Sequence, residues 1–218
     1  MGTIAAALPF FTNMLGKDPQ FAYCTTYEGV LPHIFLTAGG LTRTILQAAM
    51  PSTRPQDNVR AGANLPIEEE FALGNISNAS FVHGLYFPND LYEVFDRVVT
   101  FKGGPQQAME WQASMMYLSQ KLALKNPGKV LLLKSPSNTA RVKEILEVYP
   151  DARFIHIYRN PYDVYRSTVG LFEKILPIVG LQRTTPGHMS DFVLYKYEQI
   201  HRKYLAERHL IPAGRLYE

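Results

Sequence analysis

Cysteine is almost absent from this sequence: Cys24 is the single one in 218 residues. A lone cysteine excludes an internal disulfide framework and any site built from several cysteine ligands, and it suits a reducing compartment. No metal is expected. Long apolar runs are lacking too. The longest, residues 4–11, has eight residues, far short of the roughly 20 that a helix needs to span a bilayer. No positive residue precedes that run and no cleavage site follows it, so neither a spanning segment nor a signal peptide is expected. Met1-Gly2 lacks Ser or Thr at position 6, so the myristoylation pattern fails. A cytoplasmic protein with no membrane partner is the expectation. Charge of one sign is scarce as well: Lys and Arg total 22, Asp and Glu 19, leaving +3. The cations form no basic run, so no nucleic acid is expected as a partner. GxxxxGK[ST] is missing, which excludes a Walker A kinase.

What is present is an ordinary globular composition, with 46% hydrophobic and 19% charged residues. There is no repeat, low-complexity tract or clear boundary, so residues 1–218 read as one domain. Helical spacing appears over 5–16, interrupted near its start by Pro9. A strand is expected at 21–24 and a partly helical stretch at 27–37. Gly39-Gly40 breaks it before a helix over 41–50. Residues 51–66 are rich in Pro, Asn and Gly and read as a surface loop. A short helix follows at 68–76. Asn89 can cap a helix with Leu91, Val94, Phe95 and Val98 on one stripe. A long helix from 105 to 125 carries Trp111, Met115, Leu118 and Leu122. The last helix presents Val193, Tyr197, Ile200 and Tyr204. Asn75-Ile76-Ser77 and Asn78-Ala79-Ser80 match the glycosylation sequon, incidentally in the absence of a secretion signal.

The chain is organised around residues 129–167. Apolar runs at 130–133 and 153–158 flank a helical pattern of about a dozen residues, which makes a βαβ unit and implies a parallel sheet. Ligands of open parallel sheets lie beyond the carboxyl ends of the strands. Lys134 ends the first run and Arg159 the second. In Arg159-Asn160-Pro161, Asn160 is a good N-cap and Pro161 suits the first helical position. A helix start offers free N–H groups and partial positive charge, and Arg159 adds a bidentate fork. Ser167 lies two turns further along that face. Lys134-Ser135-Pro136 repeats the design. Simple helix capping would read the same at either place alone; the tandem points to an anion, most simply a phosphate. The helix after Arg159 is expected to run from 161 to 176 and end near Pro177. A strand is expected to begin at 216.

The stretch VLLLKSPSNTARVKEILEVYPDARFIHIYRNPYDVYRS resembles the core of the sulfotransferases that use 3'-phosphoadenosine 5'-phosphosulfate. DPQFAYCTTYEGVLPHIFL, LPIEEEFAL, LYFPND, the Trp111 helix and IPAGRLYE resemble the bacterial-type branch in the same order. The resemblance implies an α/β fold of the parallel-sheet, P-loop nucleotide type with helices on both faces. It implies sulfuryl transfer from that nucleotide, as co-substrate, to a small-molecule or carbohydrate acceptor. Arg159 and Ser167 have the family's spacing for holding the 3'-phosphate, and Lys134 would add charge near the donor. The family's strand and R-S-G-T-T loop belong just before residues 13–15, where this chain reads MGTIAAALPFF. That loop is expected to be missing or replaced, and the sequence to be truncated at both ends. A catalytically impaired nucleotide-binding fragment is the alternative this raises.

The acceptor needs a base. Glu68 and Glu70, in Pro66-Ile67-Glu68-Glu69-Glu70, are the candidates, from a region that resembles an acidic motif facing the acceptor pocket. On a regular helix they would lie about 200° apart and could not both face one site. An acidic first turn also suits the helix dipole with no further role. His33 and His83 are rivals, although a lone His in apolar surroundings is more often a core residue. Asn138 stands where related sequences often have His.

Overall fold

The computed structural model describes residues 12–54, 59–184 and 187–218. In chain order the elements are β1 (Phe21–Tyr23), α1 (Thr26–Val30), α2 (Gly39–Ala49), α3 (Glu69–Ile76), α4 (Val82–Tyr86), α5 (Leu91–Val98), α6 (Pro105–Lys125), β2 (Val130–Leu132), α7 (Val142–Val148), β3 (Phe154–Ile155), α8 (Pro161–Val179), α9 (His188–Glu207) and β4 (Leu216–Tyr217). Most of the helix expected over 5–16, and all of the apolar run at 4–11, lies outside the described residues; 12–15 are helical. Among the described residues no helix is long and apolar enough to cross a membrane. The chain forms two compact units, Met1–Ser80 with Ala113–Lys134, and Phe81–Gln112 with Ser135–Glu218.

In the first unit β1 and β2 pair in parallel, Phe21 with Val130 through Tyr23 with Leu132. α1 begins with a capping box. The Thr25 hydroxyl accepts from the Glu28 N–H, and the Glu28 carboxylate accepts from the Thr25 N–H at 2.6 Å. Glu28 is only 1% exposed, so its charge needs a partner, and Lys125 Nζ supplies it. α1 packs on α3. A Cβ on Gly29 would sit 3.1 Å from Ile67 Cγ2, so glycine is what permits that close approach. α2 starts at Gly39, not after the glycine pair. Gly39 takes a φ of +70°, the left-handed entry that a side chain resists, and the helix begins at once.

The second unit is held by the α5 stripe. Leu91, Val94, Phe95 and Val98 are buried in one cluster with Phe81, Phe172, Phe192 and Ile200. Phe81 and Phe95 meet edge to face. Trp111, on α6, is fully buried against Phe101 and under the Arg141 guanidinium, 4.8 Å from its ring. Arg141 is equally buried and donates to the Val98 carbonyl at 2.6 Å. β3 pairs in parallel with β4, Phe154 with Leu216 and Ile155 with Tyr217.

The strands are parallel, as expected, but β2 and β3 have different partners, in two-stranded sheets of order β1-β2 and β3-β4. The helix expected between them is broken into a 3-10 turn, Pro136–Ala140, and the seven-residue α7. The cap of α5 is Asp90, not Asn89, because Pro88–Asp90 already forms a 3-10 turn. α8 runs through Pro177 to Val179. Proline there lacks the N–H that would have bonded one turn back, yet Gly180 N–H still reaches the Leu176 carbonyl at 2.8 Å and closes the last turn.

Trp111 fixes the packing of the second unit. Trp111→Ala is expected to cost about 3–5 kcal/mol in urea unfolding, as other buried aromatic truncations do. Trp111→Phe should cost much less, and a loss below about 1 kcal/mol for the alanine variant would contradict this packing.

Candidate functional site

The end of β2 carries one cluster. Residues 65–67 lie beside residues 24–26: Thr26 N–H donates to the Leu65 carbonyl, Ile67 N–H to the Cys24 carbonyl, both at 2.9 Å, and Thr25 bridges Pro66. This lacing delivers Glu68 to the end of the β1–β2 pair. Lys134, just past β2, donates its backbone N–H to Glu69 Oε2 at 2.8 Å and its Nζ to Glu68 Oε1 at 2.7 Å. The side chains of Lys134 and Glu68 are 15% and 29% exposed. They form a shielded ion pair that still opens to solvent on the glutamate side.

The three glutamates go to three environments. Glu68 is the N-cap residue of α3, with extended backbone at φ −67° and ψ 133°. It stands outside the helix, so the angular argument applied to a regular helix does not govern it. Glu69 is 1% exposed and grips the Lys134 backbone. Glu70 is buried as well; the Ser80 hydroxyl donates to its carbonyl at 2.8 Å and lies 3.2 Å from its carboxylate. The Glu69 contact is the one sequence reasoning missed. The signal was the uninterrupted carboxylate run at a helix start, which has to be matched somewhere. Burial, and then the carboxylates of Glu28 and Glu69, push the Cys24 thiol well above its ordinary value, against a lowering by Lys125.

Arg159 lies in the segment between β3 and α8 and is half-buried. The start of α8 is capped as expected, with Asn160 Oδ1 accepting from Tyr162 N–H at 2.9 Å and Pro161 next. The cap consumes the donors the sequence offered to an anion: Asp163 and Val164 N–H both point to the Asn160 carbonyl at 3.1 Å. An anion here would have to rest on side chains. The Ser167 hydroxyl donates to the Asp163 carbonyl at 2.7 Å, a bond it has to exchange before it can serve a ligand. Beside Arg159 in the chain, an open cavity of about 300 Å³ is lined by Ile155, His156, Ile157, Tyr158, Tyr217 and Glu218. That is the lower end of small-molecule site volumes. Of the lining residues, Glu218 accepts from the Tyr204 hydroxyl at 2.8 Å, and burial, then that carboxylate, pushes the Tyr204 phenol up to about 12.

The other candidates are engaged locally. Ser135 caps the 3-10 turn by accepting from Ser137 N–H. Asn138 Oδ1 lies 3.5 Å from an Arg141 nitrogen. The exposed His33 meets the Asn75 carbonyl at 3.1 Å through Nε2, which makes Nε2 the protonated nitrogen, and Tyr117 at 3.5 Å through Nδ1. His83 lies tilted against the Tyr86 ring, with centroids 6.3 Å apart. Among the described residues, no three His, Cys, Asp or Glu are grouped to hold a metal.

The sulfotransferase family profile matches residues 10–218. Curated relatives from Mycobacterium bovis and Mycobacterium tuberculosis, each an omega-hydroxy-beta-dihydromenaquinone-9 sulfotransferase named Stf3, are 30% identical over 206 residues. That match covers 94% of this chain and 53% of each relative, so the chain spans about half their length. Among solved structures, sulfotransferase STF9 from Mycobacterium avium superposes with a TM-score of 0.75 at 20% identity, covering 100% of this chain and 56% of that one. Sulfotransferase STF1 from Mycobacterium tuberculosis H37Rv gives 0.71 at 14% identity, covering 100% and 60%. The fold is therefore the α/β sulfotransferase fold.

The buried Glu69 contact has a direct test. Glu69→Leu removes the acceptor of the Lys134 N–H and should cost about 1–3 kcal/mol by chemical denaturation, with Glu69→Gln milder because it keeps an acceptor. A leucine variant as stable as the parent would rule the contact out.

Proposed function

The chain belongs to the sulfotransferase family, and we propose on that premise that it moves a sulfuryl group from 3'-phosphoadenosine 5'-phosphosulfate to a hydroxyl or amine acceptor. The observation that carries this reading is the Lys134–Glu68 pair, 2.7 Å apart at the end of β2. The donor would supply an electrophilic sulfur and a phosphate leaving group. Glu68, with one side open, would take the proton of the incoming hydroxyl or amine. Lys134 would offset charge that builds on the leaving oxygen, while Glu69 holds its backbone in place. Glu70, the other candidate base, faces Ser80. In this reading it anchors the start of α3 and Glu68 does the proton transfer.

Arg159 and Ser167 would hold the 3'-phosphate. The donor set suits that group: a half-buried guanidinium and a hydroxyl eight residues on. With the helix N–H groups engaged by the cap, the guanidinium would provide most of the binding. Residues 1–218 are read as belonging to one sulfotransferase-like domain, working in the cytoplasm. The curated relatives are named for a hydroxylated menaquinone derivative. For this chain the corresponding acceptor class is a hydroxyl on a largely apolar small molecule.

Two measurements test the reading. Calorimetry with adenosine 3',5'-bisphosphate should show Arg159→Ala weakening affinity by roughly 10- to 100-fold, as expected for loss of a hydrogen bond to a charged group, with an unchanged circular dichroism spectrum. Unchanged affinity would sink the 3'-phosphate assignment. Radiolabelled sulfate transfer to a panel of phenol, sugar, amine and hydroxy-isoprenoid acceptors should show turnover. Binding without turnover on any acceptor would mark a nucleotide-binding module instead.

A further inference from the structure

Residues 155–158 lead from β3 to Arg159, and core packing does little to hold them. Ile155 is 50% exposed, Ile157 41% and Tyr158 72%. His156 alone of the four is sheltered, with its side chain 15% exposed. It is tied down in three ways, all within the second unit. Its backbone N–H donates to the Tyr217 carbonyl at 2.8 Å, its Nδ1 lies 3.3 Å from Glu218 Oε1, and its ring lies against that of Tyr204 with centroids 4.3 Å apart. Glu218 is fixed from two further places. The Tyr204 hydroxyl donates to Oε1 at 2.8 Å, and Arg208 Nη2 donates to Oε2 at 2.9 Å. Tyr204 is buried in a cluster with Val142 and Ile211, so the chain of contacts runs from core to strand end. The Tyr204 hydroxyl first, then His156 and Arg208, hold the Glu218 carboxyl below its ordinary value, against the opposing effect of desolvation. Glu218 is therefore an ionised acceptor near neutral pH, and the His156 nitrogen that faces it carries a proton.

We propose that His156 is a positioning residue for Arg159: its Nδ1–H bond to Glu218 fixes the end of β3 so that the guanidinium is presented to the nucleotide. This rests on the reading that Arg159 holds the 3'-phosphate. A bidentate grip on phosphate tolerates little error in distance or angle, so the backbone that carries the arginine has to be held. On the far side of Arg159 the Asn160 cap does this, with Oδ1 accepting from Tyr162 N–H at 2.9 Å. On the near side β3 has only two residues, Phe154–Ile155, and pairing that short is a weak anchor. The His156 side chain supplies what the strand lacks. Three residues of extended chain span at most about 10 Å, so the anchors at His156 and Asn160 bracket Arg159 closely. Without the His156 bond, residues 155–158 would present exposed apolar side chains to an open cavity with little to fix their course. The cost of ordering Arg159 would then fall on nucleotide binding. His156 acts through Arg159 and not on the nucleotide.

A double-mutant cycle tests this, read by calorimetry with adenosine 3',5'-bisphosphate on the parent, His156→Ala, Arg159→Ala and the double variant. His156→Ala should weaken affinity roughly three- to tenfold in the parent, a coupling usual for linked neighbours, and by less than about twofold once Arg159 is alanine. An equal loss in both backgrounds would overturn the proposal, because the effect would then bypass Arg159. So would an unchanged affinity for His156→Ala where Arg159→Ala loses affinity. Unchanged affinity for Arg159→Ala is a different result: it would remove the 3'-phosphate reading itself, and the proposal with it. Rescue separates the bond from mere bulk. Asparagine places an N–H near the position of Nδ1, whereas glutamine reaches nearer to Nε2. His156→Asn should keep affinity within about twofold of the parent, and His156→Gln should not. Glutamine rescuing as well as asparagine would overturn the role given to Nδ1. Where a thermal melt shows His156→Ala unfolded, Glu218→Ala removes the same bond from the other side and takes its place in the cycle, with the same outcomes deciding.

Discussion

A carboxylate removed from water has to be matched. At the end of β2 a single residue matches two: Lys134 gives its backbone N–H to Glu69 and its Nζ to Glu68. Desolvating an ion costs several kcal/mol, a cost that weighs most on the fully buried Glu69 and less on the partly open Glu68. The pair is therefore stiff. It depends in turn on the parallel β1–β2 register and on the lacing of residues 65–67 to 24–26, because nothing else in the sequence would bring positions 66 apart to hydrogen-bond distance. Glu28 obeys the same rule one layer away, with Thr25 and Lys125 as partners.

The second unit treats buried cations the same way. Arg141, fully buried, is boxed by Trp111 and Phe101 and donates to Val98. Lys203 meets Glu144 at 2.8 Å and Glu207 at 3.0 Å. Phe101 is held at a φ of 57°, a left-handed conformation costing about 1–2 kcal/mol. Its ring packs on Trp111, which ties the strained turn to the largest buried side chain of α6. Against that rigid background the start of α8 is a compromise. Its cap satisfies the backbone, so in the proposed reading anion recognition would fall to Arg159 and Ser167.

Long periodic segments were legible from the sequence. α6 begins and ends where its stripe predicts, and Trp111, Met115, Leu118 and Leu122 are all fully buried. Twenty-one residues of consistent spacing leave no competing structure. The strands were less legible. Residues 153–158 yield only Phe154–Ile155, because strand length is set by the partner, and β4 offers two residues. Local chemistry decided the helix ends: the Pro88–Asp90 turn displaced the Asn89 cap, and Pro177 failed to stop α8. At the candidate site, the Asn160-Pro161 cap and the place of Lys134 at the end of β2 were readable in one dimension. The sorting of Glu68, Glu69 and Glu70 was not. It follows from where Ser80 and the Lys134 N–H sit, and no periodicity reports that.

The central claim is that the Glu68–Lys134 pair performs the chemistry while the nucleotide is held elsewhere. Glu68→Gln separates the two. Single-turnover transfer from radiolabelled donor, beside calorimetry with adenosine 3',5'-bisphosphate, is the most direct measurement. The account predicts unchanged nucleotide affinity and transfer slowed at least about 100-fold, the usual contribution of a positioned base. Transfer at the parent rate in the Glu68→Gln variant would contradict it.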